Sequence, residues 1–197
     1  MRTRLCQPIP AADGTVLAGD IYLPDGPGPW PVLLTRTPYN RTGQAGAMAQ
    51  RVRQGYACVA QDTRGKYDSD GTFRPLLDEA DDGQATLDWI ANQRWCNGRV
   101  GLVGASYLGI VQLPAAAGGH PALRCMAPAV APNHFFRDWI RHDGCFALAN
   151  TVRWSLTHAA TRVKIPEAVI DWDELWSQPT LAAVFDRLGC RAACLQE

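Results

Sequence analysis

A serine lies among small residues in the stretch G-A-S-Y-L-G, Gly104 to Gly109, directly after an apolar run that ends at Val103. Such a serine can act as a nucleophile where a strand turns sharply into a helix, because the first N–H groups of the helix favour a developing anion. The general pattern of this turn is G-x-S-x-G. Here Leu108 occupies the second glycine position, and the glycine comes one residue later. This pattern alone does not decide between two interpretations: Ser106 is a nucleophile, or the stretch is an ordinary strand-to-helix connection.

A second segment, Arg36 to Asn40 (R-T-P-Y-N), directly follows another apolar run. In the sheets of α/β-hydrolases, the loop after the corresponding strand supplies one donor of the oxyanion hole. A backbone N–H group is the usual donor, but the hydroxyl of Tyr39 could serve. The alternative is a rigid proline turn on which Tyr39 packs as a surface aromatic residue.

A nucleophilic serine needs a histidine base that a carboxylate orients, and α/β-hydrolases supply them in the order Ser, Asp, His. His120 lies in G-G-H-P ahead of a predicted strand, which favours a surface turn residue. Asp138 and His142 stand four residues apart and could face each other on a helix, although such pairs arise readily on solvated helix faces. The chain contains four histidines: His120, His134, His142 and His158.

The elements that would position these residues alternate along the chain. Apolar runs bounded by Gly, Pro, Asn and Asp predict strands, and apolar residues at helical spacing predict helices. Strands are predicted at 15–23, 31–35, 56–61, 99–103 and 123–130; helices at 45–52, from Asp78 to about Ala91, and from Ser106 or Tyr107. This alternation indicates an α/β fold with a parallel sheet over residues 1–132. After about Pro132 strand-like runs become scarce, so residues 133–197 are predicted to be helical.

The composition indicates which classes of binding partner, and which cellular compartment, to expect for this protein. Lys+Arg and Asp+Glu are equal at 19 each, which argues against nucleic acid as a partner. No stretch approaches the ~18 apolar residues of a membrane span, and no apolar run of a secretory signal follows the basic N-terminus. The seven cysteines lack the spacing of zinc ligands, and Cys58 and Cys125 fall in predicted buried strands. We therefore expect a reduced, cytoplasmic protein with no metal or other cofactor and no membrane partner.

Separated motifs resemble one known family. R-T-P-Y at 36–39, Q-D-T-R-G at 61–65 and G-A-S-Y-L-G at 104–109 are similar, in this order, to the family of cocaine esterase and the X-Pro dipeptidyl-peptidases (CocE/NonD). Two further pairs of segments are also similar to this family: 10–15 followed by 19–24, and 87–91 followed by 95–101. The whole resemblance covers about residues 8 to 155. In this family a tyrosine follows the serine and a glycine comes three residues after it, which favours the nucleophile interpretation.

The resemblance implies the N-terminal part of an α/β-hydrolase followed by the start of a helical cap, with a small-molecule ester or amide as substrate. It implies an acyl-enzyme on Ser106, and an oxyanion hole formed by the backbone N–H of Tyr107 and the hydroxyl of Tyr39. Trp139 and Trp154 resemble two tryptophans that line the family's acyl pocket; packing within the cap explains them equally well. Asp62 and Arg64 are expected to form a structural pair or loop anchor.

The family's catalytic Asp and His, its remaining strands and its C-terminal β-sandwich domain would all lie beyond residue 197. The tail, residues 186–197, shows no family character. The sequence thus predicts a truncated or frame-disrupted serine hydrolase whose Ser106 lacks its base. The alternative is a catalytically inactive fragment, or an interaction module, that retains the N-terminal half.

Overall fold

The computed structural model describes residues 1–159 and 161–188. The chain divides into two compact units, Met1–Asn133 and His134–Glu197. The final residues, including Cys190 and Cys194, lie outside the described part.

The first unit is built on a six-stranded sheet with helices between the strands. The strands are β1 (Arg2–Pro10), β2 (Val16–Leu23), β3 (Trp30–Thr37), β4 (Ala57–Asp62), β5 (Cys96–Ala105) and β6 (Leu123–Ala129). Their spatial order is β1-β2-β4-β3-β5-β6. The last four in this order are parallel, whereas β1 and β2 run antiparallel to their neighbours. The predicted α/β class is confirmed, with an antiparallel edge added.

The helices of this unit are α1 (Ala45–Arg53), α2 (Glu79–Ala91), α3 (Tyr107–Ile110) and α4 (Gln112–Ala117). Helix α1 ends before Gly55, whose φ of 91° only glycine adopts without strain. Helix α2 begins after Asp78 as predicted, but the Asp78 side chain does not cap it and instead accepts a hydrogen bond from Arg74 Nε at 3.1 Å. Leu87 and Ile90 of α2 are fully buried against the sheet, as their helical spacing predicts.

Strand β1 was not predicted, and its residues explain why. Seven of its nine residues are exposed, so its sequence has neither an apolar run nor a regular alternation. It is a strand because it pairs along β2, with an irregularity in the register between Arg4 and Gln7. Such an edge strand is stabilised by its neighbour and not by its own pattern.

The two cysteines expected in buried strands, Cys58 and Cys125, differ in their exposure to solvent. Cys58 in β4 is fully buried, and burial raises the pKa of its thiol to about 12. Cys125 in β6 is exposed, so the expectation of a buried thiol there was wrong. The reason is that β6 pairs with β5 alone among the described strands, and six of its seven residues are exposed. All five described cysteines are free thiols.

The second unit is mostly helical, as predicted. Its helices are α5 (Leu148–Trp154), α6 (Trp172–Trp176) and α7 (Leu181–Leu188), with single helical turns at 136–140, 155–159 and 167–169. A small core of Val152, Leu156, Leu175 and Val184 holds them together. No helix in the described ranges of either unit has the length and apolar character needed to cross a membrane.

A short hairpin interrupts this helical segment, against expectation. It consists of β7 (Arg141–His142) and β8 (Cys145–Phe146), joined by Asp143 and Gly144. Both turn residues have positive φ, 50° and 85°, as a two-residue hairpin turn requires. The Asp-Gly pair was a signal for this hairpin that the prediction of a helical segment missed.

Candidate active site

Ser106 forms the tip of the turn from β5 into α3. Its φ of 58° and ψ of −133° place it in a region that residues other than glycine rarely adopt. Two hydrogen bonds support this conformation: Ser106 N–H donates to Ala129 O at 3.0 Å, and Gly109 N–H donates to Ser106 O at 2.8 Å. The side chain of Ser106 is exposed. The turn is therefore sharp, strained and oriented to present the hydroxyl.

The glycines on either side of Ser106 permit this close packing. A Cβ added at Gly104 would collide with Leu108 Cβ, and one added at Gly109 would lie 2.7 Å from Ala129 O. Helix α3 therefore passes directly over the backbone of β6 at Gly109. This contact is the physical reason for a glycine three residues after the serine instead of two.

We expect Gly109→Ala to lower the free energy of unfolding by about 1–3 kcal/mol, because its Cβ would meet backbone atoms that cannot move aside. Gly46→Ala is the matched control, since Gly46 lies in α1 with open space at its Cβ position. There the substitution should stabilise the protein by roughly 0.5–1 kcal/mol. Urea unfolding of both variants measures the difference; equal effects would contradict the packing described for α3.

Tyr39 reaches Ser106 from the loop after β3. Its hydroxyl lies 3.4 Å from Ser106 Oγ, and either atom can be the donor. The backbone N–H of Tyr39 donates to Thr37 Oγ1 at 3.0 Å. Of the two donors that sequence analysis left open for this residue, the hydroxyl is thus the one next to the serine.

A buried arginine fixes this loop. Arg41 N–H donates to Asp62 Oδ1 at 2.7 Å, and its side chain pairs with Asp62 and Asp20. All three side chains are almost completely buried. The predicted pairing of Asp62 with Arg64 is wrong: Arg64 instead binds Asp13 and Asp82, where Asp82 lies on α2. Asp62 does anchor a loop, but it is the loop that carries Tyr39.

The side chain of Tyr107 points away from the serine into the protein. It is 2% exposed; its hydroxyl donates to Glu79 Oε1 at 2.9 Å and accepts from Leu76 N–H at 3.0 Å. Burial, and then the neighbouring Glu79 carboxylate, raise the pKa of this hydroxyl well above its ordinary value, so it remains a donor. Because the side chain is occupied here, Tyr107 can serve the site only through its backbone, at the first position of α3.

Glu79 in turn forms an ion pair with Arg36. Arg36 Nη1 lies 2.9 Å from Glu79 Oε2, without the alignment of a hydrogen bond, and donates to the Glu79 carbonyl at 2.9 Å. Both side chains are nearly inaccessible to solvent. Sequence analysis did not find Glu79, because nothing in its local sequence distinguishes it from the other acidic residues at the start of α2.

His120 does not behave as a surface turn residue. It is 9% exposed, and Ala122 N–H donates to its Nδ1 at 3.1 Å. Its Nε2 must then carry the proton, which it donates to Asp88 Oδ1 at 2.9 Å. This histidine ties the loop before β6 to α2.

The other three histidines lie in the second unit. His142 belongs to β7, whereas Asp138 lies in the helical turn 136–140 and accepts from His134 N–H at 2.7 Å. The two do not share a helix, so the pairing along one helix face, which sequence analysis considered and did not favour, does not form. The His158 ring lies 6.0 Å from the Trp154 ring.

Trp139 and Trp154 lie together in the second unit. Their rings meet edge to face with centroids 5.5 Å apart, and Phe135 extends the cluster on the Trp139 side at 4.8 Å. The structure thus brings the two predicted pocket residues into one aromatic cluster.

A cavity of about 490 Å³ lies in the first unit, lined by the β1–β2 turn and by α2. Ser106 is not among its lining residues. Its carboxylates are largely engaged: Asp13 and Asp82 with Arg64, and Asp88 with His120. Among the described residues, no group of three or more His, Cys, Asp or Glu side chains is arranged to hold a metal ion.

The family model of the X-Pro dipeptidyl-peptidases (S15 family) matches residues 13–192 of the chain. The chain belongs to this family. The match extends past the region of resemblance seen in the sequence, which ended near residue 155. It also overturns the expectation that the tail lacks family character, as far as residue 192. These last matched residues, from 189 on, lie outside the described part of the structure.

Individual proteins are similar to this chain over most of its length. Cocaine esterase of Rhodococcus sp. (strain MB1 Bresler) is 42% identical over 154 residues, covering 75% of the chain. Among solved structures, an alpha-amino acid ester hydrolase superposes with a TM-score of 0.73 at 32% identity over 83% of the chain. A CocE/NonD family hydrolase from Staphylococcus aureus gives a TM-score of 0.65 at 26% identity over 71%. The chain spans only 27%, 30% and 29% of the lengths of these proteins.

Proposed function

We propose that this chain carries the nucleophile of a serine hydrolase that cleaves small esters or amides, of the esterase, acylase or X-Pro dipeptidyl-peptidase type. The observation that carries the proposal is the strained turn at Ser106, which places Oγ 3.4 Å from the hydroxyl of Tyr39. A nucleophile next to a donor of this kind is the arrangement that acyl transfer requires. The relatives of the chain, which include esterases, support the same class.

In this proposal Ser106 Oγ attacks the substrate carbonyl, and the negative charge develops on the carbonyl oxygen. The Tyr39 hydroxyl and the Tyr107 backbone N–H donate to that oxygen. A base takes the Ser106 proton and gives it to the alcohol or amine, which leaves as acyl-Ser106 forms. Water then gives a proton to the same base and attacks the acyl group, which releases the acid and restores Ser106. The aromatic cluster of Trp139 and Trp154 is proposed to bind the acyl group.

The base and its orienting carboxylate are proposed to come from residues that these 197 do not include. Two facts support this: His120 is engaged with Asp88 and Ala122, and the chain spans less than a third of the lengths of the three similar proteins named above. The cytoplasmic location likewise remains a prediction.

A second candidate is an inactive interaction module, and the exposed strand β6 favours it. Met126 in this strand is 41% exposed, and β6 has no described partner on its outer edge. An open edge invites pairing with another strand. Measuring the size of the chain in solution and its thermal unfolding distinguishes the two candidates. A monomer that unfolds cooperatively would argue against the interaction module, because the edge of β6 would then need no partner strand.

The reaction of the chain with p-nitrophenyl acetate tests the proposed function, with and without added imidazole as an external base. A positioned base contributes about 10²–10⁴-fold, so the chain alone should react slowly and imidazole should restore part of this factor. The restored reaction should disappear in Ser106→Ala. Because imidazole hydrolyses this ester by itself, the rate in imidazole without protein is subtracted from both. Equal corrected rates for the two proteins would refute the nucleophile, and rapid turnover without imidazole would refute the missing base.

A further inference from the structure

Arg36 and Gln112 line the same small cavity beneath the Ser106 turn. The cavity measures about 10 Å³, and its other walls are five apolar side chains from β3, β5, α3, α4 and the residue between these helices. Both polar side chains come from residues that are only 3% exposed. An arginine and a glutamine therefore line a small space whose other lining residues are apolar.

Each of the two side chains brings one polar atom that lacks a hydrogen-bond partner among the described residues: Arg36 Nη2 and Gln112 Oε1. The other nitrogens of Arg36 are engaged, Nε with Gln61 Oε1 at 2.8 Å and Nη1 with the carbonyl of Glu79. The carboxylate of Asp82 lies 3.8 Å from Nη2, beyond hydrogen-bond distance. A buried polar group left unpaired costs roughly 1–3 kcal/mol, so a partner for both atoms is strongly favoured.

The orientation of the Gln112 amide is fixed by its neighbours. Its Nε2 donates to Leu108 O at 2.9 Å and to Gly104 O at 3.4 Å. Rotating the amide by half a turn would place Oε1 against these carbonyl oxygens, which is unfavourable. Of the residues that line the cavity, Arg36 thus brings an unpaired donor, Nη2, and Gln112 an unpaired acceptor of fixed orientation, Oε1.

We propose that this cavity is a binding site for one structural water molecule. The water accepts a hydrogen bond from Arg36 Nη2 and donates one to Gln112 Oε1. The cavity volume matches the roughly 10–15 Å³ that a single water needs. An anion would be repelled by the amide oxygen and a cation by the guanidinium, whereas water satisfies both.

The bound water adds a second polar link between two parts of the molecule that the Tyr107–Glu79 hydrogen bond already connects. On one side, Gln112 holds the carbonyls of Gly104 and Leu108, which flank the serine. On the other side, Arg36 pairs with Glu79, which holds the hydroxyl of Tyr107. The water therefore ties the serine turn to the buried ion pair below it. This role does not depend on the reaction proposed for Ser106.

A high-resolution crystal structure of the 197-residue chain tests the site. The expected result is one ordered water within about 2.7–3.2 Å of both Arg36 Nη2 and Gln112 Oε1. A dry cavity, or a direct hydrogen bond between the two side chains, would overturn the proposal. In solution, NMR magnetisation transfer from a long-lived water to the Gln112 side-chain amide protons gives a second readout, and its absence would count equally against the site.

Substitution of the glutamine provides a matched comparison. Gln112→Met removes the acceptor, so the water should be lost. Gln93→Met is the control, because Gln93 makes the same type of bond to the carbonyl four residues before it, Trp89 O at 3.1 Å, and does not line this cavity. The water should persist in the control. Persistence of the water in Gln112→Met would show that Gln112 Oε1 is not its partner.

Discussion

Replacing Glu79 with alanine is expected to lower the free energy of unfolding by about 3–5 kcal/mol, because it breaks a buried ion pair by removing one partner. Arg36 would keep its charge in a position that is 3% exposed, and the Tyr107 hydroxyl would lose its acceptor. The conservative Glu79→Gln keeps an acceptor for the tyrosine and loses only the charge, so its cost should be smaller. Chemical unfolding of the three proteins measures these differences.

The control for this prediction lies one residue earlier. Asp78 pairs with Arg74, whose side chain is 58% exposed, and exposed pairs contribute at most about 1 kcal/mol. Asp78→Ala should therefore change stability little. If Glu79→Ala were as mild as Asp78→Ala, the ion pair beneath the serine turn would not hold Tyr107 in the way the structure indicates.

Replacing Tyr39 with phenylalanine is expected to slow the acylation of Ser106 by about 10²–10³-fold, or about 2.7–4 kcal/mol of transition-state stabilisation. The backbone N–H of Tyr39 cannot compensate without leaving Thr37 Oγ1, so the loss of the hydroxyl leaves one proposed donor. The measurement is the rate of reaction with p-nitrophenyl acetate in the presence of imidazole, after subtraction of the rate in imidazole without protein.

Tyr56→Phe is the matched control for this substitution. Tyr56 packs against the cluster of Tyr22, Met48 and Cys58, just before β4, at the end of that strand opposite to the loop of Tyr39. Its substitution should leave the acylation rate unchanged. A Tyr39→Phe protein that unfolds normally and reacts as fast as wild type would remove Tyr39 from the proposed oxyanion hole.

The parts of the fold that the sequence predicted are those with a strong local pattern. Strand β4 is buried along its whole length, and its first four residues, Ala57 to Ala60, form the apolar run that predicts it. Helix α1 shows helical spacing and a glycine stop. Strand β1 has no such pattern, because its conformation depends on pairing with β2. The exposure of Cys125 likewise depends on which strands lie beside β6, and a single strand's sequence does not contain that information.

The same distinction holds for the candidate site. The serine turn and the Tyr39 loop were visible as short motifs, and their interpretation rested on a family resemblance. The contacts that fix them join residues far apart in sequence, such as Glu79 with Tyr107 and Arg41 with Asp62. Pairing by proximity along the chain failed for Asp62 with Arg64, because the end of β4 directs Asp62 toward the loop after β3.

The central claim, that Ser106 is the nucleophile, is tested most directly by locating the adduct of a fluorophosphonate on the chain by mass spectrometry, with imidazole present. The chain has four serines: Ser69, Ser106, Ser155 and Ser177. We predict that the adduct forms on Ser106, that it forms more slowly without imidazole, and that it is absent from Ser106→Ala. An unmodified Ser106, or an adduct spread evenly over the four serines, would contradict the claim.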